Sequence, residues 1–281
     1  MTQTESMPSP PAVTAFIGGG NMARSLIGGL IARGHATDDI RVSEPVEPLR
    51  EGLARDFGIV ASADNAQAAT GAAVWVLAVK PQVMRQVCEG LAPLAQAERP
   101  LVVSIAAGIT AAQLARWLGG GIAVVRTMPN TPALLGAGVT GLFATDEVDA
   151  HGREQAAILL SSAGKTVWIE NEAQMDAVTA ASGSGPAYIF LLAEAMESAA
   201  VAQGLPAEAA ATLVRETVLG AARMLTESGE DPAELRRRVT SPGGTTQAAI
   251  ETFEAGGFRT LVDQAIAAAT ERGRQLSAAN D

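Results

Sequence analysis

Two glycine-rich loops at opposite ends of the chain hold the residues whose types and spacing could do chemistry. Phe16-Ile17-Gly18-Gly19-Gly20-Asn21-Met22-Ala23 fits G-x-G-x-x-A and stands between a short apolar run and a helical stretch. In that context Gly18 allows a tight turn, Gly20 lets the backbone approach a pyrophosphate, and Ala23 permits close packing of helix on sheet. A glycine turn can also be purely structural; the strand before it and the helix after it favour a dinucleotide. The second loop is Ser241-Pro242-Gly243-Gly244-Thr245-Thr246. Several free N–H groups at a helix start suit a small anionic substrate such as a carboxylate. The bland alternative is an N-capping loop, because Ser and Thr prefer those positions. Capping and substrate binding can coexist.

Glu44 ends a second apolar run, where an acid can bind the hydroxyls of an adenosine ribose. That position favours NADH and repels the extra phosphate of NADPH. The alternative is a surface glutamate at a helix start, before Pro45. Ser43 and Arg50 could still serve a phosphate, so these residues leave the choice of cofactor open.

What the chain lacks narrows the reaction. It has two lysines, Lys80 and Lys165, and two histidines, His35 and His151, with neither type after Lys165. Oxidising an alcohol needs a base for the hydroxyl proton, and the C-terminal part offers no imidazole or amine. Reducing a C=N bond asks for less. A protonated imine is already electrophilic, so the protein need only bind the carboxylate, set the face of the ring and exclude water. His35 and His151 fall in expected surface connections. Cys88, the only cysteine, reads as a small core residue, and Tyr188 as structural or interfacial. No carboxylate pair has a spacing for acid–base work, and no cluster resembles a metal site.

These loops need two kinds of scaffold. At 281 residues the chain can form two domains with real cores. Apolar content of 48% makes it globular, with only 4% aromatic residues, so small aliphatics build the core. A formal charge of −10 argues against nucleic acid or an anionic membrane as partner. A lone cysteine excludes an intrachain disulfide and fits a reducing cytoplasm. Residues 1–11 read as a loose tail without the basic start and apolar run of a signal peptide. No apolar stretch reaches the length of a membrane span.

Strands are expected at Ala12–Ile17, Ile40–Ser43, Ala73–Val79, Leu101–Ile105, Ile122–Arg126, Val139–Ala144 and Lys165–Ile169. Helices lie between the earlier ones, over Asn21–Arg33, Pro45–Phe57, Gln82–Leu91 and from Thr110. Alternation of this kind predicts an α/β fold, a Rossmann-type, doubly wound, mainly parallel sheet. After Asn171 only helical stretches follow: Glu172–Ala180, Pro186–Gln203, Ala207–Ser228, Ala233–Arg238, Thr245–Glu254 and Arg259–Ala278. The expected domains are a dinucleotide-binding domain over 12–173 and an all-α dimerisation and substrate domain over 174–281.

The chain resembles the pyrroline-5-carboxylate reductases from about Val13 to Gln275. The landmarks are Phe16 to Met22, Ala78-Val79-Lys80-Pro81, Val103-Ser104-Ile105-Ala106-Ala107-Gly108, Arg126-Thr127-Met128-Pro129-Asn130-Thr131-Pro132, Gly183-Ser184-Gly185-Pro186-Ala187-Tyr188, and Ser241 to Thr246. The resemblance implies reduction of 1-pyrroline-5-carboxylate to L-proline with NADPH or NADH. It implies cofactor contacts from Gly18, Gly20, Asn21, Met22, Ser43, Asn65, Ala78, Val79, Lys80 and Pro81, with Ala106, Ala107, Gly108 and Asn130 near the nicotinamide. It implies that Ser241, Gly243, Gly244, Thr245 and Thr246 hold the substrate, with the Thr246 hydroxyl on the ring nitrogen. That hydroxyl can donate or accept, which suits a nitrogen changing from imine to amine. The resemblance further implies a homodimer with interleaved helical domains, a site between the cofactor and dimer domains, and a decamer of five dimers. Glu44 stands where many members carry a small polar residue, a departure that bears on the usual NADPH preference. The residues alone leave two other readings open: a reductase of another cyclic imino acid or a hydroxyacid dehydrogenase lacking the usual lysine, and a non-catalytic dinucleotide sensor.

Overall fold

Strand β1 (Thr14–Ile17) runs into the glycine loop and helix α1 (Asn21–Ala32), the first of several strand–helix repeats in the computed structural model, which describes residues 13–280. The expected tail and Ala12 lie outside the described residues. The repeats continue with β2 (Ile40–Ser43), α2 (Glu47–Phe57), β3 (Val60–Ser62), α3 (Asn65–Ala69), β4 (Val74–Leu77) and α4 (Pro81–Glu98). They end with β5 (Leu101–Ser104), α5 (Ala111–Trp117), β6 (Val124–Met128), β7 (Gly138–Ala144), α6 (Ala150–Ser161), β8 (Gly164–Trp168) and α7 (Met175–Val178). The sheet order is β3-β2-β1-β4-β5-β6-β7-β8, parallel throughout except for the β6–β7 pair. Phe16 lies in register with Val42 on one side and Val76 on the other.

β4 and β5 are buried at every position, as strands covered by helices on both faces must be. Alternation along β1 divides its side chains between two cores. Phe16 joins Leu26, Ile27 and Leu30 of α1 and Leu159 of α6. Ala15 and Ile17 join Met84 and Cys88 of α4 and Leu114 of α5 on the other face. Strand order reverses between β1 and β4, which opens a crevice at their carboxyl ends where doubly wound sheets bind ligands.

Four elements depart from the expectation. No strand or helix was expected at β3 and α3; β3 has three residues at the sheet edge, and its Val60 is 59% exposed. α6 occupies the expected connection around His151, and Asp149 caps it by accepting from the Gly152 N–H at 2.7 Å. α4 runs on to Glu98 through Pro93.

The described chain forms two compact units, residues 13–183 with 269–280, and residues 184–268. α7 and the π-helical turn Thr179–Gly183 belong to the first because they pack on the sheet. There Gly141 of β7 leaves room for Val178, whose Cγ1 stands 2.6 Å from where a Cβ would be. The second unit is helical: α8 (Gly185–Ala202), α9 (Ala207–Glu227), α10 (Pro232–Arg238), α11 (Thr245–Ala255) and the first part of α12 (Phe258–Ala279). α8 packs on α9, yet none of its residues is buried within the chain.

Candidate active site

Each glycine of the first loop meets a different neighbour. Gly18 has φ +103°, and a Cβ there would lie 2.8 Å from the Ala78 carbonyl oxygen. The loop is thus drawn against the end of β4, where the Ala78 N–H donates to the Ile17 carbonyl at 2.8 Å. A Cβ on Gly19 would stand 2.4 Å from Leu53 Cδ1, but one on Gly20 would meet nothing within 4 Å. Gly20 is the N-cap of α1, with ordinary negative φ and no side-chain cap on the helix. Nothing in the protein therefore demands a glycine at position 20, and the space above it is open. Asn21 is exposed in the first turn, and half-buried Met22 packs on the core beneath.

A cleft of about 470 Å³ opens beside this loop, lined in part by Gly18, Pro45, Asn65, Val79 and Val83. Ser43, at the end of β2, donates from Oγ to Asn65 Oδ1 at 2.7 Å. Glu44 is only 7% exposed. Its carboxylate accepts from the Gly19 N–H at 3.0 Å and from the Val46 N–H at 2.9 Å. The surface-glutamate alternative is thereby overturned: the missing Cβ of Gly19 lets the carboxylate fold back onto the loop. Arg50 donates to the Glu44 and Pro45 carbonyls. Lys80 is exposed at the N-cap of α4, and Pro81 opens that helix, where its missing N–H costs nothing.

Farther along the sheet's carboxyl edge lies the segment after β5. Ala106 is 5% exposed, Ala107 is open, and Gly108 is buried with φ +71°. Asn130, after β6, is 8% exposed; its Oδ1 accepts from the Val139 N–H at 3.0 Å and its Nδ2 reaches Ser182 at 3.4 Å. The structure thus gathers the expected cofactor residues along one edge of the first unit.

The expected substrate residues all lie in the second unit, in the turn between α10 and α11 and at the first two positions of α11. Gly243 has φ +71°, and Gly244 is the N-cap of α11 without any side-chain cap. A Cβ on Gly244 would press within 2.6 Å of Ser241 Oγ. The turn forms the start of α11, but no threonine side chain caps it: Thr245 and Thr246 are the first two residues inside the helix. First-turn N–H groups have no intrahelical acceptor. Gln247 Oε1 takes the Gly243 N–H at 2.7 Å. The resulting helix start can accept a carboxylate on its free N–H groups with the half-buried Thr246 hydroxyl beside it.

His35 and His151 are exposed. Cys88 is fully buried, and burial, helped by the Glu89 charge, pushes its thiol up to about 12. Among the described residues no group of His, Cys, Asp or Glu could hold a metal ion, and no helix is long and apolar enough to cross a membrane. Sequence reasoning missed the residues that brace the segment after β5: Gln113, Glu172 and Asn280. Thr110-x-x-Gln113 carries a readable signal, a capping box that the structure forms in full.

A family model described as pyrroline-5-carboxylate reductase dimerisation matches residues 172–276, and one described as NADP oxidoreductase, coenzyme F420-dependent, matches 13–108. A pyrroline-5-carboxylate reductase of Pseudomonas aeruginosa is 54% identical over 263 residues, 94% of this chain and 96% of that one. Among solved structures, a pyrroline-5-carboxylate reductase from Coxiella burnetii matches with TM-score 0.92 and 42% identity, covering 95% of this chain and 99% of that one. The NADP-bound pyrroline carboxylate reductase of Plasmodium falciparum matches with TM-score 0.83 and 27% identity, covering 95% and 98%.

Proposed function

This chain belongs to the pyrroline-5-carboxylate reductase family, and on that premise we propose that it reduces the C=N bond of 1-pyrroline-5-carboxylate to L-proline, the last step of proline biosynthesis. NADPH, with NADH as an alternative, supplies the hydride. The observation that carries the reading is the start of α11: a glycine N-cap, first-turn N–H groups without a capping side chain, and a threonine hydroxyl. The same half of the chain offers no lysine or histidine. Such a site binds and orients a cyclic imino acid but cannot take a proton from an alcohol.

In this reading Ser241, Gly243, Gly244, Thr245 and Thr246 hold the substrate carboxylate and ring. The Thr246 hydroxyl holds the ring nitrogen as its C=N pair becomes a lone pair. Gly18, Gly20, Asn21 and Met22 receive a pyrophosphate; the open space over Gly20 supports that assignment. Ser43, Glu44 and Asn65 face the adenosine, Ala78, Val79, Lys80 and Pro81 flank the cleft, and Ala106, Ala107, Gly108 and Asn130 meet the nicotinamide. The boundary between the cofactor and dimerisation domains is placed at 173/174, supported by a dimerisation model that begins at 172, although the compact units part at 183/184. The assembly is a homo-oligomer, in its finer form a decamer of five dimers, and the compartment is the cytoplasm.

The test is oxidation of NADPH or NADH by the purified protein, followed by absorbance, with proline identified as product. Turnover that requires 1-pyrroline-5-carboxylate supports the reading. No turnover with either nucleotide overturns it.

A further inference from the structure

The segment from Ile105 to Thr110, set against the nicotinamide in the reading above, is braced from an unexpected direction. On the sheet side the ties are local. Ser104 Oγ accepts from the Ala106 N–H at 3.3 Å, and Thr127 Oγ1 donates to the Ser104 carbonyl at 2.9 Å. At the far end Thr110 caps α5: its N–H donates to Gln113 Oε1 at 2.8 Å, and its Oγ1 accepts from the Gln113 N–H at 3.1 Å. Glu172 Oε1 accepts from the Ala111 N–H at 2.7 Å and from buried Arg126 at 3.0 Å.

The remaining ties come from the end of α12, in the residues of that helix that belong to the first unit. Gln113, 3% exposed, donates from Nε2 to the Ser277 carbonyl at 3.0 Å. Asn280 donates from Nδ2 to the Gly108 carbonyl at 3.0 Å and to the Leu276 carbonyl at 2.8 Å. A Cβ on Gly108 would stand 3.3 Å from Leu276 Cβ. Gly108, at φ +71°, sits in a region that glycine enters and leaves freely. Its peptide keeps one orientation only if something outside the segment holds it. Asn280 holds the carbonyl, Leu276 lies over the Cα, and Ala107 is left open beside them.

We propose that Leu276 to Asn280 form a positioning element for the nicotinamide end of the cofactor, acting through the Gly108 peptide. The proposal rests on the placement of the nicotinamide against Ala106–Gly108, so its test must separate the two. It compares NADH with ADP-ribose, and NADPH with 2′-phospho-ADP-ribose; each control carries its partner's adenosine and pyrophosphate without the nicotinamide. The variants are Asn280→Ala, which removes the donor, Asn280→Asp, which keeps the shape and puts an acceptor against a carbonyl, and Gly108→Ala, which perturbs the segment directly.

Nucleotide titrations by fluorescence, thermal melts and steady-state kinetics are run on the full chain. For both Asn280 variants the Kd of NADPH and NADH should rise roughly 3- to 10-fold, the size of one lost hydrogen bond. The Kd of ADP-ribose and the melting temperature should barely move, and kcat should fall while KM for the imine holds. Equal loosening of ADP-ribose and NADH would make the element mere fold support and overturn the proposal. Unchanged nucleotide binding and kcat in the Asn280 variants, with Gly108→Ala impaired in both, would overturn the tie alone. If Gly108→Ala is also unimpaired, the nicotinamide placement fails, and the proposal with it.

Discussion

Glu44 Oε2 accepts a hydrogen bond from the Gly19 N–H at 3.0 Å, which pins a carboxylate to the backbone of the loop expected to carry phosphates. The second oxygen is held by the Val46 N–H, so the charge sits at a fixed place beside Pro45 and the cleft. A ribose with free hydroxyls can donate to such a group; a ribose bearing a phosphate meets like charge. Glu44→Ser should raise kcat/KM for NADPH relative to NADH by about 10-fold or more, on the scale of one like-charge repulsion in a partly screened site. It should also lower the melting temperature, because two backbone donors lose their acceptor. Glu44→Gln should shift the ratio in the same direction at a smaller cost in stability. A ratio unchanged in both variants would mean that the ribose lies elsewhere.

The glycine loop makes a second prediction through a contrast. Side chains at positions 18 and 19 would collide with the end of β4 and with Leu53, whereas a Cβ at 20 meets open space. Gly20→Leu should therefore fold with a near-native melting temperature and yet bind NADPH at least about 10-fold more weakly, since the new side chain fills the space a pyrophosphate needs. Fluorescence titration beside a thermal melt checks it. A folded variant with unchanged affinity would remove this loop from the site.

The parallel strands were legible because burial on both faces forces continuous apolar runs, as in Val74-Trp75-Val76-Leu77. β3 and α3 were not, since a three-residue edge strand with exposed Val60 carries almost no pattern. α6 was hidden for a different reason: its buried positions, Gly152, Ala156, Leu159 and Leu160, include small residues that blur an apolar stripe. At the site, residue types announced the two loops, but direction came from contacts. The sequence could not say whether Glu44 turns outward or inward; the space left at Gly19 decides it. Nor does any local pattern tell that Asn280 reaches Gly108 across 172 positions of sequence.

The second unit predicts assembly. Phe190 and Leu191 on α8 are each 66% exposed within the chain, and Leu261 on α12 is 64% exposed. Covering each such side chain contributes about 1.5–3 kcal/mol, and the dimerisation family model spans these helices. Light scattering at low micromolar concentration should find no monomer. Leu191→Glu should give a smaller species with reduced activity. A fully active wild-type monomer would contradict a helical unit built to be shared.

Thr246 provides the sharpest test of the chemistry. It lies second in α11, behind an N-cap, Gly244, that has no side chain to satisfy the helix start. Its hydroxyl is thus not needed as the cap. Thr246→Val keeps the branched shape and removes only the hydroxyl, so the fold and NADPH affinity should barely change. If the hydroxyl bonds the ring nitrogen more strongly as the C=N bond is reduced, kcat must fall along with kcat/KM, since an interaction made mainly in the transition state is lost. One hydrogen bond to a charged group, about 1.5–3 kcal/mol, corresponds to a loss of roughly 10- to 100-fold. A rise in KM alone would reassign the hydroxyl to ground-state binding. Wild-type kinetics in Thr246→Val would leave the carboxylate-binding N–H groups as this loop's contribution and send the search for the nitrogen's partner to other residues of the helical unit.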